Sequence, residues 1–141
     1  MTTEEIQNEI IEEFSVFDDW MDKYEYLIEI GNTLQPYNEK NKTPSNLIQG
    51  CQSRVWLDAE YKDGKIYFTA DSDAIITKGI IALLIKVLSG KTPDEILKTD
   101  LFFIDKIGLK ENLSPTRANG LISMIKNMKA YATAFKAKYE Q

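Results

Sequence analysis

The chain is 141 residues long, 43% hydrophobic and 28% charged, the balance of one compact globular domain spanning residues 1–141 rather than of a disordered chain. Its formal charge of -5, with lysines scattered singly among carboxylates, excludes a nucleic-acid reader, which needs Lys and Arg clustered on one face. One Cys and no His exclude an internal disulfide, a CxxC redox pair, an all-cysteine metal cage and any imidazole base.

The first ten residues, MTTEEIQNEI, carry acidic charge where a secretion signal would be positive, and no apolar run reaches the roughly 18 residues of a membrane span. A cytosolic protein without membrane contact is expected. Thr3 is placed to cap a first helix through Ile6, Ile10 and Ile11. A second helix starts near Asp18 or Asp19 and ends at Gly31, with Trp20, Met21, Tyr24, Leu27, Ile28 and Gly31 on its buried face. Residues 35–50 then form a long polar connection, of a length that is uncommon without a function.

Val55, Leu57, Ala59 and Tyr61 alternate with Trp56, Asp58, Glu60 and Lys62, and Ile66, Phe68 and Ala70 alternate with Tyr67, Thr69 and Asp71 after Asp63-Gly64. This pattern predicts a β-hairpin over about 54–71. A third short strand around Leu47-Ile48 would steady a sheet that is marginal with two strands. Asp73 reads as the N-cap of an all-round apolar, central helix from Ala74 to Ser89, stopped by Gly90. Capping also accounts for Asp71-Ser72-Asp73, which lacks the Gly and distal Glu of a calcium loop. Thr92-Pro93 and Ser114-Pro115 each start a helix with proline at its first position. The last helix buries Leu121, Ile122, Ile125, Met128, Ala132 and Phe135. The expected fold is α+β, a small antiparallel sheet packed with several helices.

Cys51 is the residue on which chemistry would fall. Free cysteines often serve only as small buried apolar side chains. Here, however, Gly50 permits a sharp turn, Gln52 and Ser53 place polar groups beside the thiol, and the position is a loop tip mounted on a sheet. A reactive thiol without His needs another positive neighbour. The only two arginines, Arg54 and Arg117, stand three residues on and in the first turn of the last helix. Trp56 either packs under a helix or marks a contact surface.

The run Gln49-Gly50-Cys51-Gln52-Ser53 with Val55-Trp56 resembles the SufE family of sulfur acceptors. So do Asp71-Ser72-Asp73-Ala74, Lys78-Gly79, Leu113-Ser114-Pro115-Thr116-Arg117 and Asn119-Gly120-Leu121. The resemblance covers about 14–135 and implies an α+β fold similar to that of the IscU-type scaffold proteins. It implies that Cys51 takes persulfide sulfur from a pyridoxal-phosphate cysteine desulfurase (SufS-like), stimulates that enzyme and passes sulfur to an iron–sulfur scaffold complex (SufBCD-like). It makes Arg117 a support of the sulfur site, with Gly50, Gln52, Ser53, Trp56 and Asp73 as supporting loop and partner-contact residues. Arg54 falls where the family varies. No cofactor of its own is implied, since the partner supplies carbon–sulfur cleavage. The same resemblance accommodates a paralogous acceptor feeding RNA thiolation, or a module that only activates a desulfurase.

Overall fold

The computed structural model describes residues 1–140. Helix α1 (Thr3–Ser15) is capped by Thr2 rather than Thr3. The Thr2 hydroxyl accepts from the Glu5 amide at 3.1 Å while the Glu5 carboxylate accepts from the Thr2 amide at 2.9 Å. Only Thr2 stands three residues before a glutamate able to close this reciprocal capping box. Gln7, 1% exposed, ties α1 to the segment around residues 100–103. Its amide donates to the Asp100 carbonyl at 3.0 Å and its carbonyl accepts from the Phe103 amide at 3.2 Å. A buried side-chain amide is tolerated there because both ends are satisfied.

Helix α2 (Trp20–Gly31) has Asp19 as its cap, accepting from the Asp22 amide. Its inner face differs from the expected one: Met21 is 69% exposed, and Ile30 is buried beside Leu27 and Gly31. The reason is the crossing with α3 (Ile75–Leu88). A Cβ at Gly79 would lie 2.3 Å from the Leu27 carbonyl oxygen, and one at Gly31 would lie 2.9 Å from the Gly79 nitrogen. The two backbones nearly touch, and that contact fixes which side of α2 faces inward.

The hairpin forms as expected. Strands β1 (Val55–Lys62) and β2 (Lys65–Ser72) pair antiparallel from Val55 opposite Ser72 to Lys62 opposite Lys65. Asp63 and Gly64 take φ of 54° and 80°, the two positive values that a two-residue hairpin turn requires. The third strand is reduced to one bridge between Leu47 and Trp56, with the Ile48 amide donating to the Val55 carbonyl at 2.9 Å. The 35–50 connection is not structureless. It holds two short 3-10 turns, Glu39–Asn41 and Pro44–Asn46, and Lys42 ties it to Asp71 at 3.1 Å.

Helix α3 is the central one, with Ile80, Ile81, Leu83, Leu84, Val87 and Leu88 at most 1% exposed. Helix α4 (Pro93–Lys98) follows behind a Thr92–Glu95 capping box, then a short unanticipated α5 (Phe103–Lys106). Helix α6 (Pro115–Tyr139) begins at Ser114, whose hydroxyl accepts from the Arg117 amide at 3.2 Å. It buries Leu121, Met124, Met128 and Ala132, and leaves Ile122, expected inside, 39% exposed. Residues from all of these elements join one apolar cluster. No helix among the described residues is long and apolar enough to cross a membrane.

Candidate functional site

The turn carrying the thiol is shaped by two glycines far apart in sequence. Gly50 has φ +92°, and a Cβ there would lie 2.3 Å from the Ser123 hydroxyl oxygen. The backbone conformation therefore favours glycine, whereas the Ser123 hydroxyl is a side-chain tip that can turn away. Gly120, inside α6, faces the same turn: a Cβ on it would come within 3.4 Å of the Cys51 sulfur. A glycine inside a helix costs stability and signals close approach of another group. Here the group is Cys51, whose Sγ–H donates to the Gly120 carbonyl at 3.6 Å.

Cys51 is half-buried, and burial pushes its thiol pKa up. The cause is desolvation, which disfavours the charged form.

The thiol opens onto a cavity of about 310 Å³. The Cys51-Gln52-Ser53 segment forms one wall, Thr77 of α3 another, and Arg117 and Gly120 of α6 a third. Ile80 and Met124 supply its apolar part. Arg117 is exposed and makes no ion pair among the described residues. Cys51 and Arg117, separated by much of the chain, thus share one cavity. A larger cavity of about 880 Å³, bordered by α2, α3 and the sheet, shares no lining residue with it and contains no thiol.

Arg54 does not line the thiol cavity. Its guanidinium donates to Asp73 at 3.0 Å and its amide donates to the other oxygen of that carboxylate at 3.1 Å. Asp73 is consequently not the cap of α3. The position before the helix is Ala74, without a side-chain cap bond, and the Ser72 hydroxyl accepts from the Ala74 amide instead. A carboxylate offered a guanidinium and an amide together gains charge-assisted bonds that free helix amides alone do not match. Ser72 also donates to the Arg54 carbonyl at 2.8 Å, so the exit of the Cys51 turn is sewn to the end of β2.

Trp56 is 7% exposed, with Lys42 at 5.1 Å and Arg54 at 5.6 Å from its ring centroid. It is buried beneath cations that flank the loop rather than presented as an open contact face. Thr77, Gly120 and Ser123 were not among the candidate residues. Gly120 had a detectable signal, a glycine inside a helical pattern. Thr77 and Ser123 had none, because their neighbours come from other elements. Among the described residues no cluster of acidic side chains or Cys could hold a metal ion.

The family model described as "SufE: Fe-S metabolism associated domain" matches residues 8–132. The chain is 42% identical over 126 residues to an uncharacterized SufE-like protein of Synechocystis sp., covering 89% of this chain and 79% of that one. It is 39% identical over 134 residues to SufE-like protein 1, chloroplastic/mitochondrial, of Arabidopsis thaliana, covering 94% of this chain and 36% of that longer protein. The solution structure of a hypothetical protein from Thermus thermophilus superposes with a TM-score of 0.75 at 21% identity, over 92% of this chain and 94% of the other. That likeness is one of fold. By the family match and the identity of the relatives, the chain belongs to the SufE family of iron–sulfur metabolism.

Proposed function

We propose that this chain is a sulfur carrier in which Cys51 accepts persulfide sulfur from a pyridoxal-phosphate cysteine desulfurase and delivers it to an iron–sulfur scaffold. The observation that carries the reading is the lone thiol, half-buried against the Gly120 carbonyl, in a cavity it shares with an unpaired Arg117. A carrier needs one nucleophile and no second thiol, because a neighbouring cysteine would resolve the persulfide into a disulfide and release the sulfur.

In the transfer, the Cys51 thiol loses its proton and its sulfur attacks the outer sulfur of the donor persulfide. The donor S–S bond breaks, its cysteine leaves as a thiolate, and that thiolate takes up the proton. One S–S bond is exchanged for another, with no net oxidation. Arg117 supplies positive charge where negative charge gathers, which in a partly desolvated site is worth more than in water. Clearing the donor cysteine also frees it for its next turnover, which is how a carrier stimulates a desulfurase. The donor meets the thiol where the cavity opens to solvent, the side on which Arg117 is exposed.

The test is intact-mass measurement after incubation with a cysteine desulfurase and free cysteine. One added sulfur on the wild-type chain and none on Cys51→Ser supports the reading. Full stimulation of the desulfurase by Cys51→Ser would replace it with that of an activating module.

A further inference from the structure

Thr77 lies in the first turn of α3, is 6% exposed and lines the Cys51 cavity. Its hydroxyl has no hydrogen-bond partner among the described residues. No fully enclosed side-chain nitrogen or oxygen among them lacks a partner. The Thr77 hydroxyl is therefore unpaired because it opens onto the cavity, not because it is sealed in a packing defect. A nearly buried hydroxyl without a protein partner is uncommon, and it stands at a helix position that an apolar side chain could fill.

The geometry points to Thr77 as a sulfur-binding residue whose hydroxyl donates to the terminal sulfur once Cys51 carries a persulfide. This rests on the carrier reading above. The bonding needs of the site reverse on loading. The resting thiol is a donor, and the Gly120 carbonyl accepts its proton. A persulfide terminus is more acidic than a thiol and becomes an anion, which accepts only. The Gly120 carbonyl cannot serve it, and an anion taken from water needs donors. The added S–S bond is about 2 Å long, so the terminal sulfur reaches beyond the resting Sγ into the cavity. Arg117, on the exposed side, is the only ionisable side chain lining that cavity besides Cys51 itself. The turn contributes Gln52 and Ser53 and α3 contributes Thr77 and Ile80, none of which titrates. Thr77 is the nearly buried donor among them that has no competing bond.

Wild type, Thr77→Val and Thr77→Ser are loaded on Cys51 with inorganic polysulfide, which needs no partner enzyme. Alkylation of the persulfide by iodoacetamide is then followed against pH by intact mass. Loss of the donor disfavours the anion, so Thr77→Val raises the pH of half-maximal alkylation by about one unit, a tenfold change in the protonation equilibrium. Thr77→Ser keeps the wild-type value, and the unloaded thiol shifts less than about twofold in all three. Thr77→Ala takes the place of valine should valine disturb α3, which circular dichroism reports. Coincident profiles for wild type and Thr77→Val overturn the assignment, as does an equal shift of the unloaded thiol. A wild-type chain that loads with polysulfide but takes no sulfur from a desulfurase sinks the carrier reading instead.

Discussion

Cys51 and Gly120 meet across 69 positions of sequence, the sulfur donating to the carbonyl at 3.6 Å over a helix surface that has no side chain at that point. A methyl group at residue 120 would sit 3.4 Å from the sulfur, an ordinary van der Waals contact that the turn accommodates without displacement. Gly120→Ala is therefore expected to gain up to about 1 kcal/mol of helix stability and to leave the thiol on its carbonyl. Thermal unfolding should show a raised midpoint, and alkylation of Cys51 at fixed pH should keep the wild-type rate. A several-fold faster alkylation would show that the added methyl displaces the loop.

Burial raises the Cys51 thiol pKa in the folded chain, and this makes stability depend on pH. Over the interval between the ordinary thiol value and the raised one, the folded state holds a proton that the unfolded state has lost. Stability thus falls as pH climbs through that interval, and is unaffected below it. Denaturant melts of wild type and Cys51→Ser should diverge only above the ordinary thiol range, with the wild type losing more. Alkylation of the resting thiol should likewise reach half its maximal rate at a higher pH than in the unfolded chain.

The hairpin and the starts of α2, α4 and α6 were legible because each is specified by residues adjacent in sequence: alternation plus Asp63-Gly64, Asp19 before Asp22, Thr92-Pro93 and Ser114-Pro115. Cys51 and Arg117 were legible as candidates, but their shared cavity depends on the packing of α6 against the loop. Asp73 was misread because its local chemistry suits a helix cap, whereas tertiary structure brings Arg54 to it. Thr77 looked like one more residue of an apolar helix. Its role depends on an unfilled space, and sequence does not encode spaces locally.

The pairing of Asp73 with Arg54 predicts a change in loop motion rather than in global stability. Both side chains are substantially exposed, 66% for Arg54 and 41% for Asp73, and such ion pairs contribute about 1 kcal/mol or less. Asp73→Ala should therefore leave the unfolding midpoint nearly unchanged. It removes both bonds that hold the Arg54 backbone and side chain, and with them one of the ties at the exit of the Cys51 turn. Hydrogen exchange over 50–54 should quicken several-fold, and alkylation of Cys51 should rise with it. Unchanged protection there would mean that the bonds of the Ser72 hydroxyl and the residue-73 amide to the Arg54 carbonyl suffice.

Arg117 offers the sharpest separation of charge from packing. It is exposed, lacks an ion-pair partner among the described residues, and its backbone amide is already satisfied by Ser114. Replacing it with alanine should move stability by no more than about 0.5 kcal/mol, as for other surface positions. On the proposed carrier reading sulfur transfer is different, because charge moves from the donor cysteine through the Cys51 sulfur, which shares its cavity with the guanidinium. Loss of one such charge-assisted contact, worth about 1.5–3 kcal/mol, corresponds to a drop of roughly 10-fold to 100-fold in the single-turnover rate of persulfide uptake. Arg117→Lys keeps the charge without the planar fork, so it should recover part of that loss. The rates are read by quenched intact-mass sampling against a desulfurase preloaded with persulfide. Equal uptake by wild type and Arg117→Ala would remove Arg117 from the transfer step and leave Cys51 to work with the partner's charges alone.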